Sequence, residues 1–202
     1  RAQEWGVVHN TTEAMPARPA ALPEWTYWLG RAHKAGGRTT AAEALFRRIA
    51  GQPNFYGNLA DEELGRPLAP PPRAAPLTKD EQAAALNNAG LKRALTLFRL
   101  DLRTEAVKEW NWTLRGMEDR ELLAAAELAK RHLIYDRAIN TADKTKNEHD
   151  YSLRYLAPFD DHVRPAARNQ SLDDAWVYGL KRQESRFITK AKSTEDAARL
   201  LL

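Results

Sequence analysis

Cysteine is absent from all 202 residues, which rules out a disulfide framework and a thiolate metal site and leaves the redox compartment open. No apolar run approaches the ~20 residues needed to cross a bilayer, so no integral membrane segment is expected. The N-terminal stretch RAQEWGVVHN lacks the charged-then-apolar layout of a secretion signal and reads as a mature or shortened N-terminus. Also missing is a basic and aromatic pattern of the kind that lines a single-strand groove. The net charge of +4 and pI near 9.4 favour acidic polymers as partners. Lys and Arg nevertheless alternate with Asp and Glu along helical faces, as at Lys130-Arg131 after Glu127, which describes a solvated surface with no nucleic-acid partner.

What is present suffices for one or two compact domains, since 43% of the residues are hydrophobic. The first ten residues carry no periodic signal, and Pro16, Pro19 and Pro23 interrupt any long helix before Glu24. From Trp25 to Ala50 two helices are expected around Gly36-Gly37. One places Trp25, Trp28, Leu29 and Ala32 inward, the other Ala42, Leu45, Phe46 and Ile49. Trp25, Leu29-Gly30, the Ala42-x3-Phe46 step and Pro53 approximate the tetratricopeptide layout. A third helix over 54–64 ends at Gly65 and Pro67. Residues 69–77, with Pro70, Pro71 and Pro72 in succession, read as a semi-rigid linker and a domain boundary.

Beyond the linker, Thr78 and Glu81 form a capping box, and Leu91, Leu95 and Phe98 make one helical face. Helices over 102–114, 122–132 and 135–144 follow. Ala106 and Ala138 occupy matching places in RTEAV and YDRAI, Trp110 falls on the inward row, and small residues at such places allow helices to approach closely. His149-Asp150 and Asp160-Asp161-His162 have the composition of metal ligands but not the spacing, and they read as turn and cap residues. The stretch Ser171–Phe187 is the informative one. Trp176, Leu180, Gln183 and Phe187 recur at helical spacing, and Val177, Leu180 and Glu184 form an adjoining row, which either points one carboxylic acid toward the core or leaves it on the surface at the edge of the stripe, beside Gln183 and Ser185. Ser171 with Asp174 is read as its capping box. An acid held among Trp, Val, Leu and Phe loses hydration of its charged form, so its pKa rises and it can serve as a general acid.

WVYGLKRQESRFIT resembles the start of the catalytic domain in soluble lytic murein transglycosylases, whose mark is a helix ending in a Glu-Ser pair, here Glu184 and Ser185. FYGNLADEELGRP resembles the end of that family's helical superstructure. The run EWNWTLRGMEDRELLAAAELAKRHLIYDRAINTADKT, followed by HDYSLRY and PFDDHVRP, resembles its linker domain. The resemblance implies an all-α chain: a tetratricopeptide-like helical solenoid (1–68), the proline-rich linker (69–77), a helical linker domain (78–168) and the first helix of a lysozyme-like catalytic domain (169–202). It implies cleavage of the β-1,4 bond between N-acetylmuramic acid and N-acetylglucosamine in peptidoglycan without water, giving a 1,6-anhydromuramyl product. Glu184 would be acid and then base, so a second carboxylate is not required. Ser185 would support the substrate. No cofactor and no metal are implied; peptidoglycan glycan strands are the partner and the periplasm the compartment.

The family's next segment, roughly S-x-x-G-A-x-G-L-M-Q, lines the glycan groove, whereas here Ser193 is followed by TEDAARLLL. Either a disrupted reading frame or a shortened chain accounts for this, and little or no catalytic activity is expected of the chain by itself. The alternative function is a noncatalytic helical-repeat scaffold that binds a peptide or protein partner.

Overall fold

Proline and glycine placement sets the helix boundaries of the N-terminal part. The computed structural model describes residues 4–68 and 72–188 and is helical throughout, apart from one isolated bridge between Arg73 and His149. It divides into two compact units, the first running to residue 71 and the second starting at residue 72.

In the first unit, α1 (Trp5–Glu13), α2 (Ala17–Ala20), α3 (Pro23–Ala35), α4 (Thr39–Ile49) and α5 (Phe55–Glu63) follow one another. Pro23 occupies the first turn of α3, where its missing N–H costs nothing. The chain reverses between α3 and α4 at Gly37, whose φ of 75° suits glycine. Tyr27, Ala42, Phe46, Ile49 and Ala60 form the core. Gly30 is required by this packing, because a Cβ there would stand 2.5 Å from Phe46 Cε1. Two expectations are corrected. Residues 5–13 are helical despite their lack of periodicity, and α1 packs on α3. Trp25 and Trp28 are exposed (37% and 38%), and the inward row of α3 is Thr26, Tyr27, Gly30 and Ala32. Tyr27 takes that place because its ring meets both Phe46 and Tyr56 while its hydroxyl reaches Glu63, which also holds Arg31 and Lys34.

The second unit contains α6 (Lys79–Asn87), α7 (Ala89–Arg99), α8 (Arg103–Thr113), α9 (Asp119–Arg131), α10 (Tyr135–Ala142), α11 (Tyr151–Arg154), α12 (Asp160–Asn169) and α13 (Asp174–Ser185). Helices pair as α7 with α8 and α9 with α10, while α6 lies along α9. Their apolar faces meet at Leu91, Ala94, Trp110, Ala125, Ala129, Ala138 and Ile139. Ala106 and Ala138 are fully buried, as the close approach of small residues requires. At Gly90 a Cβ would overlap the Thr113 hydroxyl oxygen, which fixes how closely α7 and α8 pack.

Residues 72–77 run extended along this unit. The Ala74 N–H donates to the His149 carbonyl (2.8 Å), and Arg120 donates to the carbonyls of Ala75 (2.8 Å) and Pro76 (3.2 Å). The same guanidinium grips Glu81, the capping-box acid of α6, at 2.7 and 2.8 Å. Those bonds, with that from the Thr78 N–H, pull the Glu81 carboxyl down to about 2 from its ordinary 4.5. A folded value below the unfolded one means that this contribution is complete above 4.5 and fades as pH falls toward about 2. Arg120→Ala should therefore speed amide exchange at Ala74 several-fold at neutral pH, and the difference from wild type should narrow near pH 3. Equal exchange at Ala74 in the two forms would show that Arg120 does not hold this strand.

Candidate functional site

The segment read as catalytic is α13. Its N-terminus is capped by Asp173, whose Oδ1 accepts from the N–H groups of Ala175 (2.8 Å) and Trp176 (3.2 Å). The expected Ser171–Asp174 box is thus replaced: Ser171 lies in the left-handed region (φ 55°) and closes the preceding helix. The carboxylate nearest the first free N–H groups wins this competition, which spacing alone leaves open.

Three side chains hold α13 against its own unit. The Tyr178 hydroxyl donates to Asp160 Oδ1 (2.8 Å), with the Pro158 carbonyl also near at 3.3 Å. Burial and the Asp160 carboxylate both push this phenol well above its usual range. Arg182 donates to Asp143 Oδ2 (2.9 Å) and to the Arg154 carbonyl (3.1 Å). Past the helix end, Arg186 (φ 50°) and Phe187 (φ 64°) are both left-handed, a conformation that costs about 1–2 kcal/mol per non-glycine residue. The turn they make seats the Phe187 ring, 7% exposed, in the core cluster beside Tyr178, and its burial offsets that strain.

Glu184 and Ser185 occupy the last turn of α13, Glu184 exposed and Ser185 half-buried. Of the two readings of Glu184 the inward one is corrected and the surface one holds: Trp176 is 60% exposed, Leu180 41%, and no residue of α13 itself is fully buried. The inward row is Tyr178, Lys181 and Arg182 instead, because Asp160, Asp143 and the Arg154 carbonyl offer it polar partners. Lys181 is half-buried there, and desolvation lowers its pKa. Tyr178 and Arg182 are the anchoring residues of this helix that sequence reasoning missed, although their four-residue spacing after Asp174 was a readable signal. Trp176, Leu180 and Glu184, each four residues from the last, share one solvent-facing row that combines an aromatic ring, an aliphatic chain and a carboxylate.

A cleft of about 260 Å³ lies where α13 ends, lined by Leu95, Phe98, Arg103, Asp136 and Phe187 among others, but Glu184 and Ser185 are not part of its wall. The His149 ring is buried against the Thr145 hydroxyl (3.1 Å), and Asp150 caps α11. Asp160 belongs to the first turn of α12 and binds Arg164 and Tyr178, so it stands at a helix start, one of the turn and cap positions expected of it. Among the described residues the one group with the makings of a metal site is His9, Glu13 and His33, in the first unit.

Residues 84–149 match the family model of the soluble lytic murein transglycosylase L domain. Among solved structures, an inactive Glu-to-Gln mutant of lytic transglycosylase Slt from Pseudomonas aeruginosa is similar, with 28% identity and a TM-score of 0.74 over 96% of this chain and 32% of that one. The 70 kDa soluble lytic transglycosylase Slt70 from Escherichia coli shares the fold at 18% identity and a TM-score of 0.67, covering 98% of this chain and 34% of its own. A 70 kDa soluble lytic transglycosylase in complex with bulgecin A does so at 18% identity and a TM-score of 0.66, over 96% and 34% of the two chains. The chain thus spans about a third of the length of these solved relatives. Among curated proteins no match is found. The family model and the solved structures agree on the resemblance that the sequence motifs carry, and on an all-helical fold.

Proposed function

We infer that a chain carrying the soluble lytic murein transglycosylase L domain over residues 84–149 acts as part of a lytic transglycosylase on periplasmic peptidoglycan. The observation that carries this reading is the order of parts: the L-domain match is followed by α13, a helix that ends in Glu184-Ser185. The Pseudomonas relative loses activity when one glutamate becomes glutamine, and Glu184 is the glutamate to which we assign that role here. In this mechanism Glu184 donates its proton to the glycosidic oxygen as the bond from the muramyl C1 breaks. Its carboxylate then takes the proton of the C6 hydroxyl as the C6 oxygen bonds to C1, so the anhydro ring closes without water and the acid is regenerated. Tyr178, Arg182 and Phe187 are positioning residues that fix the helix, while Trp176 and Leu180 supply an apolar surface on the acid's own row.

An acid open to solvent works poorly, because a glycosidic transition state gains from a site that excludes water. Weak turnover is therefore expected of the chain by itself. Incubated with purified sacculi, it should release small amounts of 1,6-anhydromuropeptides detectable by mass spectrometry, and Glu184→Gln should lower that release at least about 100-fold. Equal release by both forms would remove Glu184 from the role, and products with a reducing muramyl end would remove the transglycosylase reading. The exposed rings of Trp25 and Trp28 on the tetratricopeptide-like hairpin favour a second reading, a noncatalytic scaffold for a peptide or protein. That reading would be preferred if the chain failed to sediment with sacculi and bound a defined peptide instead.

A further inference from the structure

The first unit brings together three side chains that the murein reading does not use. His9 and Glu13 stand four residues apart on one face of α1, and His33 comes from the last turn of α3, the helix on which α1 packs. One donor atom from each lies within 4.8 Å of the others. His9 Nε2 and Glu13 Oε1 are 3.4 Å apart. Ligand atoms about 2.0–2.1 Å from a tetrahedral zinc ion are separated from one another by about 3.3 Å, so this edge already has the required length. His9 Nδ1 is 3.3 Å from Asn10 Oδ1. In the tautomer with the ring proton on Nδ1, donated to that amide oxygen, the Nε2 lone pair faces the Glu13 carboxylate, an arrangement in which a cation can take the place that a proton on Nε2 otherwise fills.

We propose that His9, Glu13 and His33 bind a divalent transition-metal ion, zinc being the best match, and that the ion ties α1 to α3. Two imidazoles and one carboxylate suit zinc, cobalt and nickel, whereas calcium and magnesium prefer all-oxygen sites. A water molecule completes the coordination, since three protein ligands leave one position open.

Arg38 competes for this site. Its Nε donates to His33 Nδ1 at 2.7 Å, and because arginine only donates, His33 Nδ1 is the acceptor there. Ligation through Nδ1 displaces Arg38 directly. Ligation through Nε2 moves the ring proton to Nδ1 and breaks the same bond. Arg38 is exposed, so it can return to water at little cost. Because its positive charge also opposes the ion, removing it should strengthen metal binding, an effect opposite to that of losing a ligand.

The test uses the untagged chain and zinc chloride in a calorimetric titration, with cobalt(II) absorption as a second readout and circular dichroism to verify that each variant folds. One zinc ion per chain is expected, and cobalt should show the visible bands of a four-coordinate site. His9→Ala and His33→Ala should each weaken binding at least about tenfold, and Arg38→Ala should tighten it several-fold. Excess calcium should not compete. Failure to bind zinc would overturn the proposal, as would unchanged affinity in the His9→Ala/His33→Ala double variant, which would move the ion to His132, His149 or His162. Weaker binding in a folded Arg38→Ala variant would overturn the competition. None of these readouts involves murein, so the proposal stands or falls apart from the transglycosylase reading.

Discussion

Replacing Trp110 with alanine should lower the unfolding free energy of the second unit by about 4 kcal/mol, within the range for large core truncations. The indole is fully buried at the centre of the cluster formed by α7, α8, α9 and α10. Its Nε1–H donates to the Thr141 hydroxyl (3.0 Å), and Thr141 is itself fully buried. Alanine would leave a large cavity and also strip a partner from a hydroxyl that water cannot reach, and the two costs add. Trp110→Phe separates them: most of the packing survives, and only the hydrogen bond and part of the volume are lost. Urea unfolding followed by helix circular dichroism would measure both variants. A loss below about 1.5 kcal/mol for the alanine form would show that the surrounding helices collapse onto the site.

The second large effect is expected at Asp136, at the start of α10. Its carboxylate is buried (3% exposed) and accepts from Arg103 Nη2 (2.6 Å) and Arg137 Nε (2.9 Å). Arg137 is also buried and reaches Asn111 Oδ1 (3.1 Å), so Asp136 is its only ion-pair partner among the described residues. Asp136→Ala should cost about 3–4 kcal/mol, mostly because it leaves the Arg137 guanidinium charged, buried and uncompensated. Arg103, which is half-buried over the Phe98 ring, can turn to solvent more readily than Arg137 and adds less. A double-mutant cycle isolates the cause. Asp136→Ala combined with Arg137→Met should be more stable than Asp136→Ala alone, because no unpaired charge then remains inside. If the double variant were the less stable, the cost would lie in lost packing rather than in the stranded charge.

Much of the helical plan is legible residue by residue. The Thr78–Glu81 box forms with both reciprocal bonds, and Phe46 and Trp110 lie in the cores to which their periodicity assigned them. Local signals sufficed at these positions, because a cap depends on neighbours three residues away and one side of each helix is plainly more apolar. α1 was not legible: its residues show no apolar stripe, and it is helical because α3 offers a surface on which to pack. His9 and Glu13 have helical spacing, but His33 reaches them only through that packing.

For α13 the sequence determined the helix, its terminal Glu184-Ser185 pair and the family resemblance, since each of these is written in consecutive residues. Only the tertiary structure decided which way the helix is turned. Its sequence offers two rows of comparable quality, Trp176–Leu180–Glu184 and Tyr178–Arg182 leading to Phe187. Asp160, Asp143 and the Arg154 carbonyl, contributed by segments 14 or more residues away in the chain, favour the second. A buried hydroxyl or guanidinium needs partners of that kind, while Trp and Leu tolerate partial exposure. Helical spacing cannot state where such partners will be, and so it left open whether Glu184 faces the core or, as it does, solvent.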